Sequence, residues 1–252
     1  MRIIAKYAGL SLKKNFAYKA NGVLVIVDTL MDVFAVWLFW TSLLELDLNL
    51  TAWSGQSLRV FMGYSLISSS VSNLFVGAWD IQGHVEDGTL DSYIVKPCSA
   101  VLLILLERAN FLRFLVTFPI GFLLIAINAG VQKIAQALAG ILLCIAATIL
   151  VELLIVAVYE LCFWAKRVDS YADIMETVFS ISRYPLIFFN RKIVMLFTYI
   201  VPVAFMSTIP TELVTGGKME WSVCAFLVLA VLIVGLAVLL WKAGRRRYES
   251  AN

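Results

Sequence analysis

The chain has 252 residues, of which 62% are hydrophobic and only 15% are charged, and its mean hydropathy is +0.91. Soluble domains average about 45–50% apolar and about 25% charged residues, so this composition excludes an ordinary soluble domain and indicates an integral membrane protein. The formal net charge is +3, and His84 is the single histidine. These values argue against a nucleic-acid partner and against a histidine-based metal or catalytic centre.

The first twenty residues predict an amphipathic helix that lies along the inner surface of the membrane. At helical spacing, basic and apolar side chains separate onto two faces, with Arg2, Lys6 and Lys13 on one and Ile3, Tyr7 and Leu10 on the other. A simple interfacial anchor and a specific contact with a partner explain this pattern equally well.

Six stretches have the roughly 20 mostly apolar residues that a membrane-spanning helix needs. They are residues 23–44, 58–79, 111–128, 134–165, 193–209 and 221–241. The fourth is long enough to tilt or to project into the cytosol, and Pro202 and Pro210 interrupt or end the fifth. The pattern predicts an all-α integral membrane protein that forms a single transmembrane domain over residues 1–252.

The distribution of basic residues predicts the orientation. With both ends in the cytosol, only Arg59, Lys133 and Lys218 fall outside, which leaves 17 of the 20 Lys and Arg residues on the inner side. Cytoplasmic loops of membrane proteins carry such an excess of Lys and Arg. The sequence therefore predicts a multi-pass protein with both termini cytoplasmic, a topology that suits a bacterial inner membrane.

Polar side chains within the predicted spans are candidates for a translocation path, because a charged side chain at a helix centre costs about 2.5–3.5 kcal/mol on insertion scales. The candidates are Asp28, Asp32, Ser69, Asn73 and Glu152. Helix packing is the competing interpretation for the serine-rich second span, since small residues permit close approach. Asp28 and Asp32 can equally belong to the cytosolic interface.

The chain lacks the common sequence motifs of nucleotide-binding, zinc and hydrolase sites. It contains no Gly-x4-Gly-Lys-Ser/Thr pattern and neither a His-Glu-x-x-His nor a Gly-x-Ser-x-Gly pattern, which are the usual phosphate-binding, zinc and nucleophile signatures. We therefore expect a non-enzymatic chain without a cofactor, a metal site or a nucleotide site of its own.

Residues 80–97, here called the elbow, form a compact polar segment between two apolar stretches. Gly88 is placed to end one short helix in the left-handed conformation, and Thr89 to cap the next helix. Pro97 disfavours a helical conformation at Lys96, so the segment should end in a corner. The pattern predicts a short helical elbow held against a membrane face.

The elbow carries the first part of a resemblance, a Gly-Thr-Leu-Asp-x-Tyr core followed by Val-Lys-Pro. Further along the chain come Tyr184-Pro185, Ile187-Phe188, Pro202-Val203-Ala204-Phe205 and Pro210. In order and spacing this series resembles the small six-span ABC-2-type permeases that work with a separate ATPase subunit. Gln82-Gly83-His84 departs from the family pattern, in which a more basic run is expected.

The resemblance implies a fold similar to type V ABC exporters, with residues 80–97 as a cytosolic coupling helix. It also implies an ABC ATPase subunit that binds ATP and Mg, and a second permease chain that makes a homodimer or a heterodimer. The ATPase-coupling residues that it indicates are Glu86, Asp87, Leu90, Asp91 and Tyr93. Their acids would pair with basic residues of the ATPase, while Leu90 and Tyr93 would supply an apolar anchor.

Two other functions compete with an exporter permease. One is a channel or secondary carrier that works without ATP, although the halves of the chain show no convincing internal repeat of the kind common in carriers. The other is a membrane scaffold for a soluble partner, against which the intramembrane acids argue. The transported substrate is not readable from the sequence.

Overall fold

The computed structural model describes residues 2–16, 19–45, 53–165, 168–216 and 220–248. Within these ranges every regular element is a helix, which confirms the all-α class. Five long helices form the bundle: α2 (Lys19–Glu45), α3 (Gly55–Ser72), α7 (Phe111–Ala129), α8 (Ile134–Tyr159) and α12 (Glu220–Arg247). The shorter helices are α1 (Arg2–Phe16), α4 (Asp80–Glu86), α5 (Asp91–Ile94), α6 (Ala100–Arg108), α9 (Asp169–Ser180), α10 (Arg191–Tyr199) and α11 (Thr208–Thr215).

Short 3₁₀ turns connect several of these helices. They cover Val76–Trp79, Val131–Lys133, Glu160–Phe163, Ile181–Arg183, Leu186–Phe188 and Pro202–Phe205.

Four helical stretches of the described residues are long and apolar enough to cross a membrane: Ala20–Ser42, Phe111–Ala129, Val131–Phe163 and Cys224–Arg247. A fifth candidate is the pair Gly55–Ser72 and Val76–Glu86, which meets at a bend of 44°. The bend follows Ser72 because the side-chain amide of Asn73 donates a hydrogen bond of 2.8 Å to the Ser69 carbonyl and α3 ends there. The chain is therefore a multi-pass membrane protein, with four of the six predicted spans matched, and a fifth if the bent pair is one span.

The predicted fifth span, residues 193–209, is not a continuous helix. α10 ends at Tyr199, a 3₁₀ turn begins at Pro202, and α11 begins at Thr208. The break is expected at Pro202, because proline has no backbone N–H for the helical ladder and clashes with the preceding turn. Six uninterrupted spans are thus not confirmed, and the sixth crossing stays a prediction.

Both ends of the described chain lie at the same end of the bundle. Tyr7 of α1, Trp241 of α12 and Tyr248 all pack against one apolar cluster that also contains Leu90 of the elbow. We call this the elbow end. Its cytoplasmic location stays a prediction from the basic residues.

The segment 168–216 runs from the elbow end to the opposite end of the bundle. Val168 belongs to the same apolar cluster as Leu90, whereas Val214 packs with Val60 and Ala129 at the far ends of α3 and α7. The chain therefore traverses the bundle here through short helices and turns rather than through one long helix, which is the geometry that a sixth crossing would need.

α3 and α7 approach each other closely at two glycines. A Cβ atom built on Gly121 would lie 2.7 Å from the Gly63 carbonyl oxygen, and one built on Gly63 would lie 2.9 Å from the Gly121 oxygen. Small residues permit this approach of two backbones within a membrane. The packing interpretation of the second span is correct for this face of α3.

We expect Gly121→Ala to lower the thermal unfolding midpoint in detergent by several degrees. The new methyl group meets a backbone oxygen that cannot move aside, and overpacking of this kind costs about 1–3 kcal/mol. Gly235→Ala in α12 is the matched control, since a Cβ there meets nothing within 4 Å. Equal midpoints for the two variants would contradict the described α3–α7 contact.

Candidate functional site: a polar cavity and a helical elbow

A polar cavity of about 300 Å³ lies between α2, α3, α7 and the turn that follows α9. Its polar lining comprises Thr29, Asp32, Ser65, Ser69, Ser72, Asn73, Arg113, Thr117 and Arg183. A neighbouring cavity of about 270 Å³ shares Ser72, Val76, Phe179 and Arg183 with it and adds Glu152. The two adjoining cavities thus bring together four of the five predicted path residues: Asp32, Ser69, Asn73 and Glu152.

Arg113 pairs with both aspartates of α2. Its guanidinium makes an ion pair with Asp28, the fifth predicted path residue, and lies 3.4 Å from an oxygen of Asp32. Asp28 and Asp32 are four residues apart, so they lie on one face of α2 and share one cation. Arg113 therefore links the start of α7 to two carboxylates of α2.

Glu152 of α8 is buried and accepts a hydrogen bond of 2.5 Å from the Ser72 hydroxyl. The bond joins the middle of α8 to the last residue of α3. A hydrogen-bonded carboxyl group of this kind is the arrangement expected for a polar group that a bilayer cannot solvate. Glu152 lines the neighbouring cavity and contacts Ser72, which both cavities share; these two residues are here called the cavity floor. The path role of Glu152 stays a prediction.

Arg183 was not predicted as a site residue, since the sequence places it with the cytosolic basic residues. In the structure it borders both cavities and makes no ion pair among the described residues. The ring of its neighbour Tyr184 lies 6.2 Å from those of Phe39 and Trp40 in α2. Arg183 lies in a turn without helical periodicity, so the sequence offers no signal that would have located it.

The serines of α3 divide between two roles. Ser70 is completely buried and donates to the Ile67 carbonyl, and buried Ser68 accepts a hydrogen bond of 3.0 Å from the Thr148 hydroxyl. Ser69 and Ser72 instead line the polar cavity. One face of the helix thus packs its serines against neighbouring helices, while the other face borders the cavity, where a path role for Ser69 stays a prediction.

The elbow consists of α4 and α5 joined at Gly88, whose φ of +70° is the left-handed conformation predicted for it. The predicted cap by Thr89 is wrong, because α5 has Leu90 at its N-cap without a side-chain hydrogen bond. The Thr89 hydroxyl lies 2.7 Å from Nδ1 of His84 instead. The predicted corner at Pro97 is present, since α5 ends at Ile94 and α6 begins at Ala100.

Two of the five predicted coupling residues are buried against other parts of this chain. Leu90 is 0% exposed and Tyr93 is 7% exposed, and the Tyr93 hydroxyl donates a hydrogen bond of 2.5 Å to Glu107. Burial and this hydrogen bond raise the pKa of Tyr93. Leu90 and Tyr93 therefore hold the elbow to its own chain.

The other predicted coupling residues lie nearer the surface. Glu86 and Asp87 are exposed and Asp91 is half-buried. The exposed apolar residue next to them is Val95, which the sequence did not single out and which is 81% exposed. The ATPase-contact role of all five predicted residues stays a prediction.

The residues that depart from the family pattern make internal contacts. Buried Gln82 donates a hydrogen bond of 2.7 Å to Glu86, and its side-chain oxygen lies 3.4 Å from the backbone nitrogen of Val168. The ion pair between Asp80 and Arg108, at 2.8 Å, attaches the start of the elbow to α6. The elbow is thus fixed at both α6 and the start of α9.

No group of three or more His, Cys, Asp or Glu side chains that could hold a metal occurs in the described part of the chain.

A comparison with protein families identifies the chain. The sequence pattern of the family described as "ABC-2 family transporter protein" matches residues 29–252. No match was found among curated proteins or among solved structures. Permeases of this family work with an ABC ATPase and generally lack nucleotide-binding motifs.

We expect a cysteine at position 69 to react with a small, charged thiol reagent, because Ser69 borders the polar cavity. A cysteine at position 70 is the control and should stay unmodified, since Ser70 is 0% exposed. Both variants are made in a chain whose Cys98 and Cys224 are replaced by serine, and mass spectrometry of membrane vesicles counts the adducts. Equal reaction at both positions would contradict an aqueous cavity.

We expect Arg113→Gln to lower the thermal unfolding midpoint, because it leaves Asp28 and Asp32 without their shared cation. Breaking one side of a partly buried ion pair is costlier than removing the whole pair. The triple variant Asp28→Asn, Asp32→Asn, Arg113→Gln should therefore recover most of the loss. Arg246→Gln controls for the loss of one positive charge, and a triple variant less stable than Arg113→Gln would refute the coupling.

These observations, from the apolar helices to the elbow and the matched sequence pattern, show that the chain belongs to the ABC-2 family of transporter membrane proteins.

Proposed function

We propose that this chain is the permease subunit of an ABC exporter, which forms the translocation path and is driven by a separate ATPase subunit. ATP and Mg would bind to that partner. The permease would lie in an inner membrane with both termini in the cytoplasm, next to a second permease chain that is identical or related.

The observation that carries this proposal is the direct connection between the elbow and the cavity floor. Ser72 lines the polar cavity, and its hydroxyl donates a hydrogen bond to Glu152. The turn Val76–Trp79 follows, and α4 of the elbow begins immediately after it at Asp80. Backbone hydrogen bonds of 2.8–3.0 Å from Leu74, Phe75 and Ala78 maintain this connection. A displacement of the elbow would therefore reach the cavity through about eight residues of hydrogen-bonded chain.

A second connection runs through α9. Gln82 of the elbow contacts the backbone nitrogen of Val168, one residue before α9 begins. The far end of α9 brings Phe179 to both cavities, and the turn after it brings Arg183. An elbow that moved would thus pull on two walls of the cavity, which supports a role in coupling rather than that of a polar connector.

The surface of the elbow suits a protein partner. Exposed Glu86 and Asp87 offer negative charge, while Val95 and Ile94 offer an apolar contact. Interfaces commonly combine a small apolar anchor with a polar rim. In this proposal the acids pair with basic residues of the ATPase, and Val95 replaces the buried Leu90 and Tyr93 as the apolar anchor.

The exposed carboxylates of α2 support a second permease chain. The side chains of Asp28 and Asp32 are 59% and 68% exposed, although both lie within the candidate span Ala20–Ser42. Carboxylates at this position need water or protein around them rather than lipid. A second permease chain beside α2 would enclose them in a path between the two subunits.

A channel or carrier that works without ATP would use the same polar cavity, and a scaffold would use the same elbow. Transport by a purified assembly separates these functions, because only an ABC permease needs both the ATPase and the cavity. The connection between the two sites favours the permease.

We expect Val95→Asp to prevent copurification of the ATPase with the tagged full-length chain. The change places a charge in the centre of the proposed apolar contact, and the loss should exceed tenfold if this contact anchors the interface. Val131→Asp is the matched control, since Val131 is 84% exposed and lies between α7 and α8, away from the elbow. Mass spectrometry after gentle extraction identifies the partner by its phosphate-binding loop and measures its amount.

Asp91→Lys provides a second variant of the same surface and should weaken ATPase association without affecting membrane insertion. A chain that copurifies with no ATPase, or with the same amount of ATPase in all three variants, would refute the proposal. Modification of a cysteine at position 69 that changes on addition of ATP and Mg to the assembly would support coupling of the elbow to the cavity.

A further inference from the structure

A third cavity, of about 390 Å³, lies at the elbow end between α8, α12 and the segment that leads into α6. Its walls are mainly apolar, with Leu153 and Val156 from α8 and Ala237 and Val238 from α12. It shares no residue with the polar cavity or with the neighbouring cavity that contains Glu152. The proposed transport path therefore does not explain it.

Two basic residues near the end of α12, Lys242 and Arg245, border the same cavity. Both are exposed, and they follow the apolar residues Ala237 and Val238 along the helix. The order places an apolar slot beside two cations at the end of a spanning helix. This is the order of an acyl chain and a phosphate group at a bilayer surface.

The carboxyl group of Glu160 completes the lining. Glu160 is 2% exposed, and its Oε2 atom has no hydrogen-bond partner in the described chain. It makes no ion pair with Lys242 or Arg245, although all three residues line one cavity. A buried carboxyl oxygen without a partner is costly, and such groups in native proteins are nearly always satisfied by a ligand, a water or another residue. This oxygen is therefore free to receive a donor from a bound ligand.

We propose that this cavity binds a phospholipid with a primary ammonium headgroup, of the ethanolamine class. The acyl chain would lie against Leu153 and Val238, the phosphate would bind Lys242 and Arg245, and the ammonium would donate to Glu160. An acidic headgroup without a nitrogen offers no cationic donor to the carboxylate. A choline headgroup has no N–H, so it cannot make the hydrogen bond.

The bound lipid would also touch the elbow. Ile94, Cys98 and Ser99, at the end of the elbow and the start of α6, line the same cavity. A lipid that fills the cavity would brace this corner against α8 and α12. The site thus gives the membrane composition a direct contact with the segment proposed to couple to the ATPase, although the lipid site itself does not depend on that function.

Native mass spectrometry of the full-length chain in detergent tests the proposal. The probes are phosphatidylethanolamine, its mono- and dimethylated forms, phosphatidylcholine and phosphatidylglycerol, all with identical acyl chains. We expect retention to fall as N–H groups are lost, with phosphatidylethanolamine retained about tenfold better than phosphatidylcholine, since charge-assisted hydrogen bonds are the strong ones. These lipids are compared on the unaltered chain, so the result does not depend on whether a variant folds.

Variants of the chain then test which side chain binds which part of the lipid. Glu160→Gln should reduce the preference for ethanolamine over choline to less than about threefold, whereas Glu212→Gln, a half-buried acid of α11 that does not line this cavity, should leave it unchanged. Lys242→Gln with Arg245→Gln should weaken retention of every phospholipid, and Arg246→Gln with Arg247→Gln serves as the control pair. Equal retention of the ethanolamine and choline lipids, stronger retention of phosphatidylglycerol, or an ethanolamine preference that survives Glu160→Gln would each overturn the proposal.

Discussion

The hydrogen bond between Ser72 and Glu152 joins α3 to α8 at the residue where α3 ends. A bilayer core supplies no partners for polar groups, so a buried carboxyl group there must find a donor within the protein. The donor is the last residue of α3, and its position fixes where the chain may bend toward the elbow. The cavity lies on one side of this bond and the elbow follows on the other, so both depend on it.

Four of the six predicted spans, and a fifth if the bent pair Gly55–Ser72 and Val76–Glu86 is one span, were predictable from the sequence. So were two features of the elbow, the left-handed Gly88 and the corner at Pro97. Length and apolar composition predict the spans, and the backbone preferences of glycine and proline predict the two features of the elbow. Apolar composition selected residues 193–209, between α8 and α12, as one span, but it does not show how the chain passes Pro202. The structure replaces a long helix there by α10, a 3₁₀ turn and α11. The Thr89 cap failed for a different reason, since His84 competes for the same hydroxyl.

The site was predictable only in part, and its residues show why. Asp32, Ser69, Asn73 and Glu152 are polar residues in apolar helices, so hydropathy alone selects them. Arg183 lies in a turn and Arg113 near a helix start, where a basic residue is ordinary. Only the tertiary structure brings Arg113 to the carboxylates of α2 and Arg183 to the border of both cavities. Leu90 and Tyr93 illustrate the converse limit: a four-residue helix such as α5 has no periodicity from which to decide whether a side chain faces its own chain or a partner.

The burial of Leu90 and Tyr93 changes how the elbow would work. A coupling segment must be attached to the permease more firmly than to the ATPase, because otherwise the elbow would deform instead of moving the spans. Leu90 within the apolar cluster, the Tyr93–Glu107 hydrogen bond and the Asp80–Arg108 ion pair supply that attachment. In the proposed function, the exposed acids and Val95 then need only bind the ATPase. An elbow attached in this way would move together with α6 and the cavity floor, which is the mechanical property that the proposed ATP-driven export would require of it.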